Sequence, residues 1–328
     1  MTVRSSTAGV YVALVGNVLV VATKALAASI TGSSAMFAEA VHSLVDTSDE
    51  LLLLYGLKRS HASPDERHPL GYGRELYFWS FIVAILVFAI GCGASIWEGV
   101  RELQHPEPIE HTGVSYVVLL VSLLFEGASW IFSRHQIRQK SGAETVWAAI
   151  RRSKDPARFT VLLEDAAAIG GIAIVFGCTL ASEHFGEPRF DGIGSIGIGL
   201  LLGLVAAELA GKCKALLIGE RADLQLRDDV LTIARQSDGV LAANGVITVQ
   251  LAPDQIVAAL SVEFADGLNS KAIEIAVADM EEQLRRNQPA VRFLFVKPQS
   301  RARFNLAHHL GPRSADGINL DPVFETAQ

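Results

Sequence analysis

Charged residues and cysteines are both scarce in this sequence. Only 19% of the 328 residues are charged, against roughly 25% in soluble domains, and half are hydrophobic. The three cysteines, Cys92, Cys178 and Cys213, are far apart and form no CxxC pair, which argues against a disulfide framework or a thiolate metal site. The net charge of −7 offers no basic excess for neutralising phosphates, so a nucleic-acid partner is not expected. The low share of charged residues and the high share of hydrophobic ones indicate a membrane protein.

The charges that are present are unevenly distributed. Residues 9–57 and 76–133 carry few of them, whereas the last third of the chain is rich in them. About 20 apolar residues suffice to span the hydrocarbon core of a membrane. The sequence therefore predicts an all-α transmembrane domain over residues 1–214. Its six predicted spans are 9–30, 33–57, 76–100, 113–133, 159–183 and 192–212.

Basic residues in the loops predict the orientation of these spans. Lysine and arginine are concentrated in the loops 58–75 and 134–158, whereas the opposite loops offer only Arg101 and Arg189. Both termini are therefore predicted to be cytoplasmic, in agreement with an even number of spans. Polar residues interrupt the first apolar run, which we interpret as a retained helix rather than a signal peptide. We expect a multi-pass protein of the bacterial inner membrane without a transit peptide.

The pattern changes after about residue 214. Two amphipathic helical segments and three strand-like segments follow in the order LQLRDDVLTIARQ, GVITVQLA, QIVAALSVEF, SKAIEIAVADMEEQLRRN and VRFLFVK. This α-β-β-α-β order predicts a small two-layer α+β domain over residues 215–298, with a turn at Pro253 and Asp254. Residues 299–328 show no periodicity, and a disordered tail is predicted there.

The second apolar span carries several ionisable residues, and three of them, Glu39, His42 and Asp46, lie near its middle. A charge at the membrane centre costs roughly 2.5–3.5 kcal/mol on insertion scales, so Glu39, His42 and Asp46 need compensation. His42 and Asp46 are one helical turn apart and share a face, and Glu39 lies on nearly the same face. An imidazole and a carboxylate at this spacing form half of a four-coordinate divalent-metal site. The same pair would also suit a hydrogen bond between helices without metal.

The fifth span contains a complementary acidic pair. In VLLEDAAAIGG, Glu164 and Asp165 diverge by about 100° around a helix, so both reach one ion only if it lies between them. Val161 lies on the bisecting direction, one turn earlier. Lys24 is an alternative partner for either carboxylate. Glu126, in the fourth span, is a candidate proton carrier or a structural hydrogen-bond acceptor.

Several motifs resemble one transporter family. GSSAMFAEAVHSLVD, HPLGYGRE and DGIGSIGIGLLLG, in this order, resemble the cation diffusion facilitators. KDPARFTVLLEDAAAIGG and KALLIGERAD are similar to the branch of that family that contains the mammalian zinc transporter nine. The resemblance covers roughly residues 9–298.

The resemblance implies both a fold and a metal site. The implied fold is six membrane helices, a cytoplasmic ferredoxin-like domain and a homodimer. His42 and Asp46 match the ligand pair of the family's second helix, and Asp165 matches the last ligand of its fifth-helix His-x-x-x-Asp motif. Val161 stands where the histidine of that motif would be. Glu164 is therefore expected to serve as the fourth ligand.

Two further metal positions of the family are less complete in this sequence. Asp65 and His68 match loop positions that bind a second metal in some relatives, but Tyr72 replaces the third ligand. Asp65 and His68, together with Glu39 and Glu126, are therefore retained as accessory candidates. The second domain contains no histidine or cysteine, so no metal cluster is expected there and dimerisation is its expected role.

The combined reading predicts a transporter and not an enzyme. We expect it to export divalent cations from the cytoplasm by alternating access, with protons as the counter-ion and Zn²⁺ as the substrate. Fe²⁺, Mn²⁺, Co²⁺ and Ni²⁺ are alternative substrates. The missing fifth-helix histidine favours a rival reading, a membrane scaffold or regulator without flux. An intramembrane metallohydrolase with Glu164 as base ranks last, because no HExxH-like motif is present.

Overall fold

A computed structural model describes residues 3–107, 111–141 and 145–309 of the chain. The chain divides into two compact units, and the boundary lies between Leu217 and Ile218. The first unit is helical, and the second contains a three-stranded sheet. The predicted fold class, a helical membrane-type domain followed by a small α+β domain, is confirmed.

Six long helices dominate the described part of the first unit, and they coincide with the six predicted spans. Its helical elements are α1 (Val3–Thr31), α2 (Ser34–Ser60), α3 (Glu75–Leu86), a π-helical segment (Val87–Cys92), α4 (Gly93–Gln104), α5 (Thr112–Ser141), α6 (Val146–Arg152), α7 (Pro156–Phe185) and α8 (Arg189–Ile218). The third long helix is continuous from α3 through the π-helical segment to α4.

Hydropathy distinguishes these helices from one another. Among the described residues, four stretches are long and apolar enough to cross a membrane, namely Glu75–Gln104, Thr112–His135, Pro156–Phe185 and Arg189–Ile218. In α1, Asn17–Thr31 forms a shorter apolar stretch. The helix α2 does not qualify, because its ionisable side chains lower its hydropathy. That all six helices cross a membrane therefore stays a prediction.

A tight turn fixes the beginning of α2. Gly32 ends α1 with a φ of 66°, a left-handed conformation that glycine adopts without steric cost. The Ser33 hydroxyl then accepts a hydrogen bond from the amide of Met36 (3.1 Å), which caps α2. The hydroxyls of Ser33 and Ser34 donate to the two carboxylate oxygens of Asp191 at 2.7 and 3.0 Å. The beginning of α2 is thereby tied to the beginning of α8.

The helix α7 is bounded by residues suited to its two ends. Pro156 occupies its first turn, where no amide hydrogen is needed, and Gly186 follows its end with a φ of 65°. The neighbouring helices α4 and α8 approach each other through glycines. A Cβ at Gly99 would lie 2.6 Å from the carbonyl oxygen of Gly192, so a larger residue would push these backbones apart.

The short helix α6 was not predicted from the sequence. It lies within the basic segment 134–158 and begins at a cap in which the Thr145 hydroxyl accepts from the amide of Ala148 (3.1 Å). Ala149 and Ile150 are buried in a core shared with α7 and α8. Its seven residues are too few for a clear helical period, which explains the omission.

The second unit has the predicted α-β-β-α-β order. Its elements are α9 (Leu224–Gln236), β1 (Val240–Ala252), β2 (Gln255–Phe264), α10 (Ser270–Asn287), β3 (Val291–Pro298) and α11 (Arg301–His309). The sheet order is β1-β2-β3, with β1 antiparallel to β2 and β2 parallel to β3. The predicted turn at Pro253 and Asp254 joins β1 to β2. Val230, Leu260 and Met280 are fully buried between the helices and the sheet.

The final helix α11 corrects the predicted disordered tail over residues 299–328. Phe304 is buried where α11 packs against β1, and the amide of Arg301 donates to a carboxylate oxygen of Glu263 (3.1 Å). Packing of Phe304 holds this short helix in place, although its hydrophobic residues do not recur with a helical period. Residues 310–328 lie outside the described residues.

Candidate metal site on α2 and α7

His42 is buried on α2 with no hydrogen bond in the described structure. The residue is 1% exposed, and both ring nitrogens lack a hydrogen-bonding partner there. Its Nδ1 lies 3.3 Å from Oδ1 of Asp46, but the pair is not aligned as a hydrogen bond. Buried polar atoms are rarely left unpaired, so these nitrogens are suited to a ligand.

Three carboxylates from α2 and α7 converge next to His42. One carboxylate oxygen from each of Asp46, Asp49 and Glu164 lies within 4.8 Å of the other two. Asp46 and Asp49 lie on α2, and Glu164 lies on α7, which packs against α2. The structure thus brings Asp46 and Glu164 together, two of the four predicted ligands.

Four oxygens of this carboxylate cluster are buried without a hydrogen-bond donor in the described structure. No amide, hydroxyl or amine group in the described structure donates to either oxygen of Asp49, to Oδ1 of Asp46 or to Oε1 of Glu164. Asp49 is fully buried, and Glu164 is 6% exposed. Like charges this close repel one another strongly out of water. A divalent cation or protons would relieve that repulsion.

Asp165, a predicted ligand, lies outside this cluster. Its Oδ2 accepts a hydrogen bond from the hydroxyl of Ser129 on α5 (2.8 Å). Val161 lies half-buried one turn before it on α7. Glu126, also on α5, is half-buried and within electrostatic range of Asp165. Asp165 and Glu164 therefore face different neighbours, as their angular separation on a helix requires.

Glu39, an accessory candidate, has a cation of its own. Its Oε2 lies 3.0 Å from Nζ of Lys24, and neither side chain is exposed. Lys24 also donates to the hydroxyl of Ser43 at 2.8 Å. Lys24 is thus paired with Glu39 and not with Glu164 or Asp165, the alternative raised by the sequence. The pair joins α1 to α2, and the remaining oxygen of Glu39 lies against Gly171 of α7.

The loop after α2 uses its own acidic residue to close a turn. Oδ1 of Asp65 accepts from the amides of Arg67 (3.0 Å) and His68 (2.7 Å), and Oδ2 accepts from the Tyr72 hydroxyl (2.5 Å). The Tyr72 hydrogen bond and these amides hold the pKa of Asp65 below its ordinary value. Both carboxylate oxygens of Asp65 accept hydrogen bonds from within the loop. In this structure Asp65 and His68 therefore stabilise a turn and do not form an open metal site.

Asp49 was missed by the sequence reasoning. It follows Asp46 by three residues and His42 by seven, so all three lie on one face of α2. That spacing was a usable signal. The ligand set implied by the family resemblance includes Asp165 and does not include Asp49.

The family model for the cation efflux transmembrane domain matches residues 10–218. The family is one of membrane cation transporters and not of enzymes, and the match covers more than half of the chain. The chain belongs to the cation efflux family, that of the cation diffusion facilitators, so the resemblance is confirmed.

Relatives from animals, plants and bacteria share this similarity. The chain is 38% identical over 217 residues to a human protein named proton-coupled zinc antiporter SLC30A9, mitochondrial, covering 63% of this chain and 38% of the relative. It is 37% identical over 212 residues to metal tolerance protein C4 of Arabidopsis thaliana, covering 64% and 46%. A cation-efflux pump FieF of Klebsiella pneumoniae is 25% identical over 260 residues, covering 79% and 81%. The chain thus spans less than half the length of the first two relatives.

Proposed function

We propose that this protein is a proton-coupled antiporter that exports divalent metal cations by alternating access, with Zn²⁺ as its principal substrate. His42, Asp46, Glu164 and Asp165 are the proposed ligands. Fe²⁺, Mn²⁺, Co²⁺ and Ni²⁺ are the alternative substrates, because a site with one imidazole and several carboxylates accepts them too.

The observation that carries this proposal is the meeting of Asp46 and Glu164 from two different helices. Both side chains present oxygens without donors, and His42 adds two unpaired ring nitrogens one turn away. Ligands shared between helices allow binding to depend on the relative position of those helices. Asp165 would join the cation in a state in which it has released the hydroxyl of Ser129.

Proton coupling follows from competition for the same lone pairs. A carboxylate or imidazole binds a metal only when it is deprotonated, so metal binding releases protons and proton binding releases metal. With the site open to the cytoplasm, the carboxylates take up the cation. With the site open to the opposite side, protons replace it. Rocking of helices around a fixed site is the usual means of alternating access in carriers.

The relatives support this proposal but cover different parts of it. The human relative's name includes zinc and proton coupling, and the bacterial relative's name includes cation efflux. A bacterial inner-membrane location, cytoplasmic termini and a homodimer stay predictions. The matched animal relatives are named as mitochondrial, so location needs its own experiment.

Reconstitution into liposomes tests the proposed transport. Purified protein is inserted into vesicles that enclose a zinc-sensitive dye, and Zn²⁺ is added with and without a pH gradient. We expect Zn²⁺ entry that the gradient accelerates and that is lost in His42→Ala and Asp46→Asn. Asp279→Asn, a carboxylate change on the exposed face of α10, serves as the matched control and should retain flux.

The same vesicles distinguish the rival reading of a scaffold without flux. That rival is favoured by Val161, which replaces a ligand of the family motif. Wild-type vesicles that bind Zn²⁺ but never accumulate it, with or without a gradient, would support the scaffold and contradict the antiporter.

A further inference from the structure

Asp49 is a buried carboxylate that is not among the four ligands proposed above. It is fully buried on α2, and neither of its oxygens receives a hydrogen bond from an amide, hydroxyl or amine group in the described structure. It faces Asp46 and Glu164 within the carboxylate cluster. An isolated buried carboxylate is costly, and two carboxylate neighbours increase that cost. A cation among these oxygens would offset that cost.

We propose that Asp46, Asp49 and Glu164 form an all-oxygen cation position that is distinct from the position at His42. The proposal rests on the transport function proposed above. Oxygen ligands favour hard cations such as Mn²⁺ and Mg²⁺, whereas imidazole favours Zn²⁺ and its neighbours in the series. Asp49 is thus the residue that extends the substrate range towards hard divalent cations.

The spacing along α2 places the two positions next to each other. His42, Asp46 and Asp49 lie on one face, and the rise of about 1.5 Å per residue spreads them over about 10 Å along the helix axis. Asp46 and Glu164, both proposed ligands of the His42 position, also belong to the cluster with Asp49, and Oδ1 of Asp46 lies 3.3 Å from Nδ1 of His42. A cation can therefore pass between the two positions without losing Asp46.

The cluster differs from an ordinary group of acidic residues because several of its oxygens are buried without hydrogen-bond donors in the described structure. The oxygens of Asp49 and Oε1 of Glu164 are buried without donors, whereas the acidic loop residue Asp65 has both oxygens engaged by its own turn. Buried polar atoms that lack partners are exceptional in folded proteins. Their shared direction towards one point indicates a ligand.

Binding of Mn²⁺ and Zn²⁺ to the full-length protein in detergent tests the proposal. Mn²⁺ binding is followed by loss of the free-ion paramagnetic resonance signal, and Zn²⁺ binding by calorimetry. We expect Asp49→Asn to weaken Mn²⁺ binding by about tenfold or more and to weaken Zn²⁺ binding much less. His42→Ala should show the opposite preference. Asp49→Glu, which keeps the carboxylate, should retain most of the Mn²⁺ affinity.

Glu50→Gln is the matched control, because it removes one carboxylate charge from the adjacent residue of α2, outside the cluster. Asp49 is proposed as a ligand, so Glu50→Gln should leave the ratio of Mn²⁺ to Zn²⁺ affinity near that of the wild type. An equal loss of both metals in Asp49→Asn and Glu50→Gln would show a general charge effect and overturn the proposal. Unchanged Mn²⁺ binding in Asp49→Asn would overturn it too.

The experiment separates this proposal from the proposed transport. Wild-type vesicles without flux would contradict transport, while the affinity ratio would still report on Asp49. Wild-type flux together with an unchanged metal preference in Asp49→Asn would contradict the role of Asp49 alone. Gel filtration of each variant verifies folding, and Asp49→Ser, which also removes the carboxylate, provides the measurement if Asp49→Asn aggregates.

Discussion

Replacing Lys24 by methionine should destabilise the helical unit more than any change on its surface. Methionine has a similar length and helix propensity, so the substitution removes the charge with little change in shape. It leaves the Glu39 carboxylate buried without its cation, since the 3.0 Å pair is completely shielded from solvent. The lost contact with Ser43 adds to the effect.

The expected size of this effect follows from the burial of both partners. Removing one member of a buried ion pair costs about 3–5 kcal/mol, because the remaining charge is uncompensated. A loss of about 1 kcal/mol lowers Tm by about 2–4 °C in a unit of roughly 200 residues, so Lys24→Met should lower Tm by about 6–20 °C. Thermal unfolding in detergent, followed by circular dichroism or intrinsic fluorescence, measures this shift.

The double variant Lys24→Met/Glu39→Gln provides the control. Its two neutral side chains leave no buried charge, so much of the lost Tm should return. A Lys24→Met variant as stable as the wild type would refute the reasoning. So would a double variant that is less stable than both single variants, because the loss would then not come from an unpaired carboxylate.

Three other changes test separate parts of the structure. Gly171→Ala should lower stability by about 1–3 kcal/mol, since its methyl group would overlap the buried ion pair; unchanged denaturation would show that α7 is farther away. Asp191→Asn should cost about 1.5–3 kcal/mol by weakening the cap of α2, and an unaltered Tm would contradict that contact. Tyr72→Phe should raise the pKa of Asp65 towards its ordinary value. Because folding lowers this pKa, the turn is stable above the ordinary aspartate pKa and weakens as pH falls; an identical ¹³C carboxyl titration in both proteins would contradict this.

The long helices could be predicted because hydropathy determines them locally. The segment Glu75–Gln104 is apolar over its whole length, and no tertiary information is needed to recognise it. The helices α6 and α11 are different, since each is short and is stabilised by packing of one or two residues. Their hydrophobic patterns are too short to be distinguished from chance, so these helices are recognised only in the folded chain.

The candidate site was predictable in its helices but not in its contacts. The cost of placing charges in an apolar span predicts ligands on α2 and α7, and the predicted residues are Glu39, His42, Asp46, Glu164 and Asp165. The sequence could not show which acidic residue Lys24 would select, because Glu39 is 15 residues away and on another helix. It also could not show that Ser129 holds Asp165, since that contact depends on how α5 packs against α7.

A double-mutant cycle for Zn²⁺ affinity between Asp46 and Glu164 tests the central claim most directly. If both carboxylates bind the same cation, Asp46→Asn and Glu164→Gln should each weaken binding, and the double variant should lose far less than the product of the two factors. Losses that multiply, or a Glu164→Gln variant with the affinity of the wild type, would show that α2 and α7 do not share a cation.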